Sequence, residues 1–260
     1  MNEMQNYRQR DLHPSRGDII YGIHPVLEAL EAGKEIEKIL VLRNSKNIQL
    51  RELNRLATGH KVPVQQVPPE KLDGLVHGNH QGVVAFVSPI DYQPIENVLM
   101  SIYEKRETPL LLMLDRVTDV RNLGAIARSA ECAGVHALVV PSRGSALINA
   151  DAVKTSAGAL NNIPVHRSPN LKDTIRYLKD SGLTIAAVTE YGDQEYFRTG
   201  LSGPLLLILG SEEDGISPEY LKLADVKVRI PLKGATGSLN VSVAAGIIIF
   251  EALRQRQNES

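Results

Sequence analysis

The chain runs through two hydrophobic rhythms in succession. Over residues 19–90, short apolar runs and helical spacings alternate on a small scale. "IIYGIHPVLEALEAG" (19–33) predicts a short strand or turn entering a helix that Gly33 ends. Residues 36–43 read as a strand. Ile48, Leu50, Leu53 and Leu56 or Ala57 recur at helical spacing. "VPVQQV" (62–67) is extended, "PEKLDGLV" (69–76) a short helix, and "GVVAFV" (82–87) a strand. This is the pattern of a small α/β domain.

From residue 108 the rhythm becomes a regular alternation of strand and helix. Apolar runs at 109–114, 136–141, 163–167, 183–190, 203–210 and 226–231 predict strands. Segments at 122–134, 150–160, 170–182, 218–224 and 239–257 predict the helices. Such short continuous runs belong to a parallel sheet covered on both faces. Between the halves, "PIDYQPIENVLMSIYEKRE" (89–107) carries prolines and then a charged amphipathic stretch. The layout predicted is a disordered polar tail over 1–17, a small domain over 18–90, a linker with a short helix over 91–107, and a larger domain over 108–260.

Composition narrows the partners. The 29 basic residues nearly balance 30 acidic ones, so any nucleic-acid site has to be a local patch. A single cysteine, Cys132, excludes an internal disulfide and a zinc site built on cysteines. It falls within a predicted helix and reads as a buried structural thiol. No long apolar run suggests a membrane span, and the amino terminus has no signal-peptide core. A soluble, cytoplasmic protein is expected.

In open parallel sheets, ligands bind beyond the carboxyl ends of the strands. Three loops there carry chemistry. In "DRVTDVRNLGAIARSA" (115–130), Asp115 and Asp119 flank a turn, Asn122 is a candidate helix cap, and Arg128 follows on the helix. In "LILGSEEDGIS" (207–217), Gly210 allows close approach to the backbone, and its successors are expected to present free N–H groups. Ile216 and Ser217 replace the lysine–hydroxyl pair of a P-loop, so nucleoside triphosphate binding is rejected. The run Glu212, Glu213, Asp214 reads as a solvated turn in preference to a metal site, because consecutive side chains fan apart. In "RIPLKGATGSLNVS" (229–242), Ser238 or Asn240 begins the last helix, and Pro231 removes a donor and frees neighbouring carbonyls. No nucleophile, His–Asp pair, metal cluster or dinucleotide fingerprint accompanies these loops. The hard chemistry is therefore expected of a cofactor.

Taken together, N-x-G-x-x-x-R at Asn122, Gly124 and Arg128, L-G-S-E-x-x-G at 209–215, and I-P-x-x-G-x-x-x-S-L-N-V-S-V-A at 230–244 resemble the three motifs of the SpoU (TrmH) family of RNA ribose 2′-O-methyltransferases. "YGIHPVLEAL" and "HQGVVAFV" resemble that family's substrate-binding domain, so the resemblance spans about residues 18–255. One departure is that Val120 and Arg121 stand where members often carry proline and a polar residue. The resemblance implies an α/β SPOUT-type domain with a deep carboxyl-terminal trefoil knot, a small amino-terminal α/β RNA-binding domain, and a homodimer. It implies S-adenosyl-L-methionine as cofactor, held by backbone groups of Gly210, Ile230, Leu232 and Leu239, and no metal. It implies catalytic roles for Asn122, Arg128, Glu212, Ser238 and Asn240. Arg128 would stabilise alkoxide charge or grip phosphate, since a guanidinium stays protonated. Asn122 would orient Arg128 or the ribose. Glu212 would pair with Arg128 or accept a loop-fixing hydrogen bond. Ser238 and Asn240 would position the ribose and phosphate.

The two-domain layout is most similar to members that methylate a guanosine ribose in large-subunit (23S) ribosomal RNA. Arg43, Lys46, Arg51 and Arg55 are candidate phosphate contacts, and His77 and His80 are candidate base-stacking residues against ordinary turn histidines. The competing readings are a methyltransferase acting on transfer RNA or another ribosomal nucleotide, and a non-catalytic RNA-binding ribosome-assembly factor. A small-molecule α/β enzyme would need the nucleophile or fingerprint that is missing.

Overall fold

A computed structural model describes residues 19–43, 45 and 47–259. The polar segment 1–17 and Lys46 lie outside the described residues.

The first body is a four-stranded sheet. Its elements are β1 (Ile19–Tyr21), α1 (Ile23–Glu31), β2 (Ile36–Leu42), α2 (Gln49–Gly59), β3 (Val64–Val67), α3 (Pro69–Asp73) and β4 (Val83–Val87). The strand order is β1-β4-β2-β3, with only the β2–β3 pair parallel. The period-two rule sorts its side chains. Ile39, Val41, Val83 and Ala85 face α1 and α2, while Leu40, Val84 and Phe86 face α3. In α2 the buried positions are Leu50, Leu53 and Ala57. Ile48, expected on that apolar face, precedes the helix and is 78% exposed. The two stretches that carry the first domain's resemblance meet at the start of α1. Gln81 Oε1 accepts from the Ile23 N–H at 3.2 Å, and Gly22, at φ +93°, donates to Val83 O.

The second body holds β5 (Leu110–Leu114), α5 (Val120–Cys132), β6 (Ala137–Pro141), α6 (Ala150–Thr155), β7 (Val165–Ser168), α7 (Leu171–Asp180), β8 (Thr184–Val188), β9 (Gln194–Glu195), β10 (Leu205–Leu209), α8 (Pro218–Leu221), β11 (Val226–Arg229) and α9 (Val241–Glu259); α4 (Ile95–Glu104) precedes them. The strands form one parallel sheet in the order β7-β6-β5-β10-β8-β11-β9. Alternate residues of β5 divide between two cores. Leu110, Leu112 and Leu114 pack with α5 and α9; Leu111 and Met113 pack with α4 and α7.

The segment between the bodies is laid down on the second one. Tyr92 bridges to Val165, and Gln93 N donates to Val165 O at 2.9 Å, extending the β7 edge. The α4 helix then buries Ile95, Val98, Leu99 and Ile102 against the sheet.

Four local expectations are corrected. Cys132 is the last residue of α5 and is exposed, because it lies off the face that buries Ile126, Ala127 and Ala130. The helix expected over 150–160 stops at Thr155. Ala157 and Gly158 there take positive φ, which breaks the ladder, and only a 3₁₀ turn (Ala159–Asn161) follows. The two-residue polar β9 was too short and too polar to read as a strand. The last helix begins at Val241, not Leu239.

Candidate active site

The carboxyl end of β5 opens the site. Asp115 is buried there, at 2% exposure, and its Oδ2 accepts from Ser217 N at 2.7 Å. Arg116 next to it has φ +58°. Its guanidinium binds Asp115 Oδ1 (3.2 Å), Asp214 Oδ2 (2.9 Å) and Gly215 O (3.2 Å). The β5 and β10 loops are thereby bolted together. The sequence reading missed Arg116. The available signal was a charged Asp–Arg pair straight after a wholly apolar strand.

The cap of α5 is Asp119, whose carboxylate accepts from Arg121 N at 2.7 Å. Asn122 is therefore not the cap. One turn inside the helix, it donates from Nδ2 to Glu212 Oε1 at 3.0 Å. Asn240 caps the last helix through Oδ1, which accepts from Ser242 N at 3.0 Å. Its Nδ2 reaches both Asn122 Oδ1, at 3.1 Å, and Glu212 Oε1. Asn122, Glu212 and Asn240, one from each of the three loops, thus form a closed set of side-chain hydrogen bonds. Ser238 lies before the cap and does not start the helix.

The loop after β10 is closed on itself. Ser211 and Gly215 exchange backbone hydrogen bonds at 3.2 and 3.1 Å, and Ser211 Oγ accepts from Asp214 N. The N–H groups of Ser211, Asp214 and Gly215 are thus committed within the loop, contrary to the expectation that they stand free. A Cβ on Gly210 would fall 2.0 Å from the carbonyl carbon of Gly215. Gly210 is needed there by its own loop, not by a ligand's approach. Gly124 has a similar reason, since a Cβ would meet Thr155 Cβ at 2.7 Å where α5 crosses α6.

A cleft opens beyond β8, β10 and β11. Gly210, Ile230, Leu232 and Leu239, the four residues expected to hold a cofactor, all line it, together with Ser238 and Glu212. Thr189 and Glu190, from the loop after β8, line it too and were not foreseen. Among the described residues, the carbonyls of Ile230 and Leu232 accept no hydrogen bond within the protein. Apolar walls from Leu209, Leu239 and Val241 beside such free acceptors suit a ring with an exocyclic amine and a polar tail. A second cleft lies against Asp119, Asn122 and Gly144 and shares Ser211, Glu212 and Glu213 with the first. Of the hydrogen-bonded set, Glu212 lines both clefts and Asn122 the second.

Arg128 is not brought into this set. It is exposed, lines neither cleft, and makes no ion pair or hydrogen bond among the described residues. Of the two roles expected for Glu212, pairing with Arg128 is absent, whereas accepting hydrogen bonds that tie its loop down is present, and Asn122 contacts Glu212 and Asn240 instead of Arg128. The spacing explains it: six helical residues place Arg128 about 9 Å along the axis from Asn122. Within the acidic run, Asp214 is held by Arg116 and Glu212 by two amides. Among the described residues no group of three His, Cys, Asp or Glu side chains is placed to hold a metal ion.

In the first domain, Arg43, Arg51 and Arg55 are exposed and hold no ion pair among the described residues. His77 is exposed. His80 is committed to its turn: Nδ1 accepts from Gly82 N at 2.9 Å and Nε2 donates to Asp73 at 3.0 Å.

Comparison with known proteins gives these features a context. Residues 109–250 match the SpoU rRNA Methylase family, and residues 19–93 match the RNA 2'-O ribose methyltransferase substrate binding family. A protein of Staphylococcus saprophyticus assigned to the TrmH family of tRNA/rRNA methyltransferases is 36% identical over 238 residues, covering 92% of this chain and 96% of its own. A Bacillus subtilis protein with the same assignment is 33% identical, with 92% and 96% covered. Among solved structures, the SpoU methyltransferase AviRb from Streptomyces viridochromogenes in complex with AdoMet superposes with a TM-score of 0.59 at 29% identity, covering 92% of this chain and 90% of that one. An AdoMet-bound rRNA methyltransferase from Sinorhizobium meliloti gives 0.58 at 26% identity, covering 91% and 87%.

Proposed function

We propose, from the premise that this chain belongs to the SpoU rRNA methylase family, that it transfers a methyl group from S-adenosyl-L-methionine to the ribose 2′-hydroxyl of a guanosine in large-subunit ribosomal RNA. The observation that carries the reading is the closed set Asn122–Glu212–Asn240, in which Glu212 lines both clefts and Asn122 the second. One cleft takes the cofactor and the other the ribose. The cofactor supplies an electrophilic methyl group. The protein's part is to aim the 2′-oxygen at it along the bond that breaks, at about 3–3.5 Å, as the hydroxyl proton passes to solvent water.

The free carbonyls of Ile230 and Leu232 would accept from the adenine amine, and the apolar wall of Leu209, Leu239 and Val241 would exclude water around it. Asn122, which lines the second cleft and is fixed by Glu212, would orient the ribose, and Asn240 holds Asn122 in place. Ser238 binds the flanking phosphate. Arg128 stands free of internal partners, so its charge is available to the RNA. Lying outside both clefts, it would grip a phosphate flanking the target ribose. The first domain recruits the RNA through Arg43, Arg51 and Arg55.

The same reading makes the loop over 230–240 part of a trefoil knot and the enzyme a cytoplasmic homodimer. What supports the dimer is the apolar face left on α9 and its approach, where Val243 is 50%, Phe250 48% and Leu232 39% exposed. Among the described residues no helix is long and apolar enough to cross a membrane.

The test is methyl transfer from labelled S-adenosylmethionine to unmodified large-subunit ribosomal RNA and to transfer RNA, with the modified nucleotide mapped by mass spectrometry. Label on one guanosine ribose of the ribosomal RNA is the expected result. Label on transfer RNA alone overturns the target, and binding of RNA with no transfer overturns the enzyme.

A further inference from the structure

The first domain is joined to the second by more than a covalent linker. On β2 the register against β4 slips between Ile36 and Lys38, leaving Glu37 as an extra residue in the strand. A bulge of this kind re-aims a side chain. Glu37 is 6% exposed and accepts a short hydrogen bond from the Tyr92 hydroxyl. Arg167, on β7 of the second domain, donates from Nη1 to Ile36 O at 2.9 Å and lies 3.6 Å from Glu37 Oε2. Its guanidinium also stacks 4.4 Å over the Tyr92 ring. The Arg167 and Glu37 side chains are only 10% and 6% exposed.

A second point of attachment is apolar. Leu147, in the loop after β6, packs against the first domain's cluster of Leu40, Val67, Leu72, Val84 and Phe86. That same loop braces the catalytic end of the sheet. Ala146 N and Ser145 Oγ both donate to Val117 O, at 2.8 and 3.2 Å, and Gly144 lines the second cleft. One short loop therefore touches the first domain's core at one residue and the wall of the second cleft within three.

A buried ion pair is an inefficient way to gain stability, because desolvation offsets most of its attraction; its geometric demands are what it adds. Arg167 can reach the Ile36 and Glu37 carbonyls and the Glu37 carboxylate together in one relative placement of the domains only. We infer that Arg167 and Leu147 are positioning residues that fix the orientation of the substrate-binding domain over the methyl-transfer cleft. RNA held by the first domain is then presented to the second in one orientation. The inference rests on the methyltransferase reading above, and neither residue touches the reacting atoms.

Steady-state transfer, S-adenosylmethionine titration and small-angle X-ray scattering on the full chain test it, using Arg167→Ala, Leu147→Ala and the double variant. Loosened domains should raise the maximum dimension in scattering. They should lower kcat on RNA about tenfold, while KM for RNA and cofactor affinity stay within about twofold. Leu147→Met, which keeps the apolar contact, should restore kcat. Wild-type kcat in a double variant whose domains separate overturns the inference. So does a loss of kcat in a variant that stays compact. If Arg167→Ala gives no cooperative melt, Leu147→Ala and its Met rescue decide alone. If the unaltered protein transfers no label, the functional reading fails instead, and a compact double variant still overturns the latch.

Discussion

Asn122 and Asn240, 118 positions apart, are joined side chain to side chain, with Asn240 Nδ2 donating to Asn122 Oδ1 at 3.1 Å while both amides converge on Glu212 Oε1. The carboxylate is the shared acceptor that holds the pair. Replacing Glu212 with alanine removes that acceptor and lets both amides rotate. The expected loss is about a hundredfold in kcat, the scale of a 1 Å misplacement. Glu212→Gln keeps one acceptor oxygen without the charge and should fall between, because hydrogen bonds to a charged acceptor are the stronger kind. Methyl-transfer kinetics on the two variants check the order.

Arg128 has no internal partner to lose. Arg128→Ala should leave the melting temperature and cofactor affinity almost unchanged, within the ~0.5 kcal/mol usual for a surface site. It should nevertheless abolish transfer. A variant that keeps a tenth of the activity would remove Arg128 from the mechanism.

The glycines of the site divide into two kinds. Gly210 has Gly215 where a side chain would go, whereas around Gly237 no atom lies within 4 Å of a built Cβ. Gly210→Ala should force the 211–215 turn apart, costing about 1–3 kcal/mol and weakening cofactor binding. Gly237→Ala should melt like the parent. Thermal unfolding with and without S-adenosylmethionine separates the two.

Two histidines make the fold sensitive to acid. Burial holds the imidazole of His136 below its ordinary value, only partly opposed by Glu107 at 3.2 Å. Its Nδ1 accepts from Leu110 N at 3.1 Å, a bond available only without a proton on that nitrogen. Burial likewise lowers His166, against the opposing pull of its hydrogen bond to Gln93 O. With folded values below the unfolded one of about 6.5, the unfolded chain takes up protons first. Stability is thus fully present above about pH 6.5 and is lost as pH falls through the folded values. Melting curves from pH 8 to 5 should show the decline, and His136→Gln should flatten part of it.

The central strands β5, β6, β8 and β10 were legible because each is an apolar run buried along most of its length, and the carboxyl-end rule then pointed to three loops. What stayed hidden depends on partners distant in sequence. Asp119 and Asn122 are both capping types; only Glu212, 90 residues on, shows why Asn122 has other work. Arg116 reads as any surface charge until Asp214 is seen beside it. Gly210 invites a ligand on paper, yet its space is filled by Gly215. The apolar helix after residue 240 was plain, but which of its faces lies in the core was not. Val243 and Phe250 are as apolar as the buried Ile248 and Ile249.

The hydrogen-bonded set at the site draws its last member from Asn240, and the helix that follows fills the same core as β5 and α5. A ribosome making this chain has therefore released the whole substrate-binding domain and most of the sheet before the Asn122–Glu212–Asn240 set can close. A nascent chain arrested before residue 240 would hold a domain able to engage RNA without the means to modify it. Such truncated products would compete with the finished enzyme for its target.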